Sequence, residues 1–253
     1  MTPPPDSSLS GSSPPSRPPP QRRPRRTPPT GVLPDWLRPL DRALLDDERL
    51  QQAVALRPGI GGGRAAAVLV LIGAGDRGPE ILFVERSTTL RTHAGQIAFP
   101  GGANDPGDLD LIATAVREAH EETGVEVAGI EPIGVLPPAH VAVSGFDVTT
   151  VVAWWRRRSP VGPADPREVA SVLVVPVADL TDPANRGRVR HPSGYTGPGF
   201  DVAGHLIWGL TAHLLDGVLD LAGWQRPWNL DRRFDIPVRY LTDLARGRGP
   251  DEH

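Results

Sequence analysis

The chain has 253 residues, a formal net charge of −3 and no cysteine, and every one of its 27 basic residues is arginine. This composition excludes a disulfide scaffold, a thiolate metal site, a cysteine nucleophile, Schiff-base lysine chemistry and a phosphate-loop lysine. The length suits one domain or two small ones.

Residues 1–30 differ physically from the rest. They hold eleven of the 30 prolines, and Arg17, Arg22, Arg23, Arg25 and Arg26 face a single acid, Asp6, for a local charge of +4 that leaves −7 on residues 31–253. Almost no apolar side chain beyond Leu9 is available to offset chain entropy, so a disordered, extended tail is expected. No apolar stretch follows the arginines as a secretory signal requires, and no run reaches membrane-spanning length. The expected location is therefore cytoplasmic, with no membrane partner.

A folded domain is expected over 31–240, with 241–253 a frayed end. Residues 34–58 carry a loose helical period, broken by Pro58-Gly59 and Gly61-Gly62-Gly63. Ala65–Ile72 (AAAVLVLI) reads as a buried strand and Glu80–Arg86 as its hairpin partner. A short strand follows near Gln96–Phe99. Asp105-Pro106-Gly107-Asp108 reads as a turn ending in a helix N-cap residue. Leu109–Thr123 is the clearest helix, closed by Gly124. Strands are expected near Ile133–Leu136, Asp147–Trp155 and Val169–Val177, and a second amphipathic helix over 206–222. Strands with two main helices between them predict an α/β sandwich.

The chemistry concentrates in Gly101–Val125, GGANDPGDLDLIATAVREAHEETGV. With about 100° per residue, Leu109, Ile112, Val116 and Ala119 form an apolar stripe for docking on the sheet. Glu118, Glu121 and Glu122 share a neighbouring stripe, where they repel one another unless a cation sits among them. Hard oxygen donors of this kind suit Mg²⁺ or Mn²⁺. A solvated acidic face has the same composition. Three features favour an ion site: the acids fall within one turn, Arg117 stands four residues before Glu121 and can orient it, and a Gly-Gly turn lets backbone carbonyls approach.

The run Arg117-Glu118-Ala119-His120-Glu121-Glu122-Thr123-Gly124-Val125 resembles the second half of the Nudix box, REUxEExGU, at every fixed position. Gly102 resembles the glycine that opens the box. Asp108 stands for the box's earlier glutamate, with one extra residue before Arg117. The resemblance implies a Nudix-type α/β/α sandwich with a mixed sheet, hydrolysing a nucleoside diphosphate linked to another moiety with Mg²⁺ or Mn²⁺. It implies Glu118, Glu121 and Glu122 as metal ligands, with the Gly102 carbonyl as a further one, and Glu121 and Arg117 in catalysis.

A second motif lies upstream. Arg86-Ser87, Arg91, Gly95 and Phe99-Pro100-Gly101-Gly102 resemble the signature of the coenzyme A pyrophosphatase branch, and Val135-Leu136-Pro137, Ser144-Gly145 and Ile207–Ala212 are similar to it as well. That branch implies hydrolysis of coenzyme A or acyl-CoA to 3′,5′-ADP and a 4′-phosphopantetheine. Arg86 and Arg91 suit phosphate oxygens, although either also suits an acid that pins the loop. Ser87 and Gly95 are substrate-side or loop-shaping residues. Glu168, after the Pro163–Pro166 loop, is a candidate base or extra ligand, or a plain surface acid. His93, His120 and His140 are expected to be structural. Alternative readings keep the chemistry but take ADP-ribose or another nucleoside diphosphate derivative, or make the domain a binding module recruited through its tail. The expected partner is a small-molecule nucleotide and not nucleic acid, because no basic aromatic stripe lies outside the tail. A homodimer is compatible with this reading.

Overall fold

A computed structural model describes residues 31–53, 62–90, 92–141, 144–190, 194, 196–238 and 240. The tail, Pro58-Gly59 and the 241–253 end lie outside the described residues. The elements in chain order are α1 (Arg38–Ala43), α2 (Asp47–Ala53), β1 (Arg64–Gly75), β2 (Gly78–Arg86), β3 (Ile97–Ala98), β4 (Gly101–Ala103), α3 (Leu111–Thr123), β5 (Ile130–Val135), β6 (Ala139–Val141) and β7 (Phe146–Trp155). They continue with β8 (Val169–Pro176), α4 (Val177–Leu180), β9 (Arg186–Arg190), β10 (Thr196–Val202), β11 (His205–Ile207), α5 (Gly209–Leu221) and β12 (Arg233–Phe234).

The main sheet runs β3-β2-β1-β7-β5, with β4 on β1, β6 on β7 and β8 on β2. Strand β1 is parallel to β7 and antiparallel to β2 and β4, so the sheet is mixed. Successive strand residues point to opposite faces. Leu69 and Leu71 therefore join one core with Ala115 and Ala119 of α3. Val70 and Ile72 join another with Leu40, Leu50, Leu215 and Val218 from α1, α2 and α5. Burial on both faces explains why β1 reads as an unbroken apolar run. The expected α/β/α sandwich stands.

Several local expectations are corrected. The single helical element over 34–58 is two short helices, because the Asp46 carboxylate accepts from the amides of Glu48 and Arg49 (both 3.1 Å) and restarts the helix. Helix α3 is capped by Asp110, whose side chain accepts from the Ala113 amide (2.9 Å), and not by Asp108. Leu109 precedes this cap and is 96% exposed, so it is no part of the docking stripe. The buried face is instead Ala115, Ala119 and Glu122, flanked by Thr114 and the partly buried Leu111 and Ile112. Residues 206–207 belong to β11, and α5 starts only at Gly209.

A second sheet, β11-β10-β9-β12, was not expected. Its glycines let other groups seat closely: a Cβ on Gly187 would lie 2.7 Å from the Phe234 ring, and one on Gly199 would lie 2.5 Å from Val189. Arg186 is fully buried beneath it, paired with Asp216 and lying over the rings of Phe200 (4.3 Å) and Trp228 (4.8 Å).

Candidate active site

Strand β4 pairs with β1 (Ala67 with Gly102, Val68 with Gly101), which carries the Gly-Gly turn against the side of α3. The approach is close enough to require glycine. A Cβ on Gly101 would lie 2.3 Å from the Ala67 carbonyl oxygen, and one on Gly102 would lie 2.5 Å from the Glu118 carboxylate. The amide of Gly101 donates to Glu122 Oε2 at 3.0 Å. The turn thus fixes one glutamate by a hydrogen bond and leaves room for another.

Arg117 organises the remaining acids. Its Nε and Nη2 donate to Asp108 Oδ1 (2.9 Å) and Oδ2 (3.0 Å), a two-pronged fork, and Nη1 donates to Glu118 Oε1 (3.0 Å) and Glu121 Oε2 (2.9 Å). Asp108 also accepts from the Thr114 hydroxyl (2.9 Å) and the Asp105 amide (3.0 Å). This is the role left to Asp108 once Asp110 caps the helix: it anchors the guanidinium that orients two of the three glutamates. Hydrogen bonding from Arg117 holds the Asp108 carboxyl well below the usual range despite its burial.

The three glutamates differ in setting. Glu121 is exposed, Glu118 is half-buried and Glu122 is 7% exposed. Burial pushes the Glu122 carboxyl up to about 7, opposed by the Gly101 amide and by Arg86, and reinforced by the charges of Glu118 and Glu168. Burial also raises Glu118; Arg117 opposes this and Glu121 adds to it. Mutual destabilisation of this kind is what a cation relieves. Among the described residues, no three histidine, aspartate or glutamate side chains converge into a finished cage. Arg117 bridges Glu118 and Glu121, so the acids are held by a guanidinium and not gathered around one point. The donor set is nonetheless all oxygen, on a turn stripped of side chains beside it, and this fits a hard divalent ion.

Arg86 ends β2 on this side. Its influence reaches Glu122, and its buried Nε has no hydrogen-bond partner among the described residues. Among the described residues it makes no ion pair with an acid, and its neighbour Glu85 accepts from the Ser171 hydroxyl (2.8 Å). Glu168 is drawn in by the β2–β8 pairing, where the Ser87 amide donates to the Glu168 carbonyl (2.8 Å). Its exposed side chain makes no hydrogen bond among the described residues. Ser87 is buried and shares a 2.9 Å hydroxyl contact with Thr89. Gly95 has φ +68° and donates its amide to the Arg86 carbonyl (3.0 Å), so both residues shape the loop. Arg91 lies outside the described residues. His93, His120 and His140 partner Gln96, the Val125 carbonyl and Asp147 (3.3, 2.9 and 2.7 Å), which are structural roles. Reading the sequence missed Asp108 as the arginine anchor and Thr114 as its support. The Asp108–Arg117 separation was visible, but nothing in the sequence ranked Asp108 below Asp110 as a cap.

The NUDIX domain family model matches residues 63–194, just over half the chain. The uncharacterized Nudix hydrolase NudL of Citrobacter koseri is 39% identical over 180 residues, covering 67% of this chain and 90% of that protein.

The chain belongs to the Nudix hydrolase family.

The NudL protein of Klebsiella pneumoniae is 38% identical over 192 residues, covering 69% of this chain and 93% of that protein. Among solved structures, the Nudix hydrolase RenU from M. smegmatis is 27% identical and superposes with a TM-score of 0.41 over 49% of this chain and 76% of that one. This Nudix protein is accordingly a hydrolase of a small-molecule pyrophosphate substrate, in a family that generally uses divalent metal ions. No helix among the described residues is long and apolar enough to cross a membrane.

Proposed function

We propose that this Nudix hydrolase cleaves the diphosphate of coenzyme A or an acyl-CoA, releasing 3′,5′-ADP and a 4′-phosphopantetheine. The observation that carries the reading is Arg86. It is the first residue of the segment ending in Phe99-Pro100-Gly101-Gly102, and it brings a cation near Glu122 whose buried Nε has no hydrogen-bond partner among the described residues. A guanidinium there suits a substrate that carries phosphate beyond its diphosphate.

Glu118 and Glu122, with the Gly102 carbonyl and Glu121, would hold Mg²⁺ or Mn²⁺. A bound ion of this type neutralises diphosphate charge and lowers the pKa of an attacking water. Asp108 fixes Arg117, and Arg117 holds Glu121 and Glu118, the latter beside Gly102 of the turn. The Gly101 amide does the same for Glu122. Glu168, whose carboxylate has no hydrogen-bond partner among the described residues, takes the proton of the attacking water. Arg86 binds the substrate phosphates.

Comparing kcat/KM for coenzyme A, dephospho-CoA and ADP-ribose tests the substrate. A preference for the 3′-phosphorylated compound that disappears in Arg86→Gln supports the reading. Equal turnover of all three would remove coenzyme A from the account and leave a general nucleoside diphosphate hydrolase.

A further inference from the structure

The second sheet carries a cationic cleft that the catalytic reading does not use. Residues two apart on a strand share a face, so β9 presents Arg186, Arg188 and Arg190 together. Arg186 is enclosed in the protein, where it pairs with Asp216 through Nη2 and lies over two aromatic rings. Arg188 and Arg190 are different: neither side chain makes an ion pair or hydrogen bond among the described residues. Arg233 of β12 is the direct register partner of Arg188. Among the described residues its Nη1 donates only to the carbonyls of Leu230 (2.7 Å) and Arg232 (3.3 Å).

Like charges directly opposite on neighbouring strands destabilise a sheet. The three arginines line a cleft of about 630 Å³, walled further by Thr196, Phe234 and Ile236. Among the described residues Asp235 is the one acid in the lining, and it makes no ion pair with them. The cleft therefore keeps an excess of two positive charges in a body that is otherwise net negative. A volume in the range of small-molecule sites, two guanidinium forks without a partner among the described residues and a third held by backbone carbonyls together describe a receptor for a compact anion.

We propose that the Arg188–Arg190–Arg233 cleft binds a phosphate group. The residues are separate from the carboxylate helix, so the inference stands apart from the assignment of substrate. The cleft is nevertheless joined to the catalytic side. Ile236 packs in one buried cluster with Tyr240, and the Tyr240 ring lies 3.5 Å from where a Gly95 Cβ would sit, in the segment that begins at Arg86. The bound phosphate is either one end of the hydrolysed nucleotide or a free phosphate.

Titration of ¹⁵N-labelled protein with inorganic phosphate, at ionic strength held constant with chloride, tests the site. Saturable shifts of the amides of residues 186–190 and 233–236 are expected, with binding at least about tenfold weaker in Arg188→Gln/Arg233→Gln. Absence of saturable shifts, or an unchanged dissociation constant in the double variant, would overturn the proposal. Should the double variant fail to fold, Arg190→Gln at the strand end replaces it, with weakened phosphate binding again expected. Turnover then separates the two sources. If phosphate raises KM in the wild type but not in the double variant, the cleft holds part of the substrate. If turnover is unaffected while the shifts saturate, it holds a separate anion. A failed substrate assignment would alter the turnover results only and would leave the titration intact.

Discussion

Asp108→Ala removes an acceptor that serves four donors at once: Arg117 Nε and Nη2, the Thr114 hydroxyl and the Asp105 amide. The Asp108 side chain is 6% exposed and that of Arg117 26%. A hydrogen bond to a charged group contributes about 1.5–3 kcal/mol, and breaking a fully buried ion pair costs about 3–5 kcal/mol. Arg117 keeps some access to water and retains Glu118 and Glu121, so the expected loss is about 2–3 kcal/mol. Urea unfolding measures it. The pH dependence adds a second readout. A carboxyl held below its usual value contributes stability that is complete above its unfolded pKa and is lost as pH falls through its folded one. The variant should therefore lose less stability than the wild type below about pH 4. Because Asp108 acts on Glu118 and Glu121 through Arg117, kcat should fall with KM little changed, and Asp108→Glu should restore most of it. An alanine variant with wild-type stability and wild-type kcat would refute the reasoning.

Gly102→Ala places a Cβ 2.5 Å from the Glu118 carboxylate, which must swing away. Half-saturation by Mg²⁺ or Mn²⁺ in the activity assay should rise about tenfold or more, with little change in unfolding midpoint; an unchanged metal dependence would count against Glu118 as a ligand. Asp216→Ala strands the fully buried Arg186 and should cost about 3–5 kcal/mol in denaturant unfolding. Glu168→Gln should lower kcat by about 10²–10⁴, whereas full kcat would place the proton acceptor elsewhere, with Glu121 next to be tested.

Much of this architecture is legible in the chain because the signals are local. The run AAAVLVLI has one physical reading, a strand covered on both faces, and the cores on either side of β1 take alternate residues from it. The REAHEETG segment likewise places its acids on one face of a helix that Gly124 closes at φ +68°. Choices between equivalent residues are less legible. Asp108 and Asp110 are both competent caps, and only the position of Arg117 in three dimensions decides that one caps and the other anchors. The second sheet is legible least of all. Strand β10 carries Gly197, Pro198 and Gly199, and β9 reads Arg-Gly-Arg-Val-Arg, so neither shows the apolar alternation of a half-buried strand. Gly187 and Gly199 are there because Phe234 and Val189 rest on them, and Arg186 is buried because Asp216 of α5 meets it. Both reasons come from residues distant in sequence.

The central claim is that Glu122 and its neighbours on α3 hold the divalent ion that drives diphosphate hydrolysis. The most direct test assays wild type and Glu122→Gln side by side on coenzyme A with Mg²⁺ or Mn²⁺, with the products identified by mass. Wild type should release 3′,5′-ADP and 4′-phosphopantetheine only in the presence of metal, and a Glu122→Gln protein that remains folded should lose several orders of magnitude in rate. Near-wild-type turnover by that folded variant would contradict the claim.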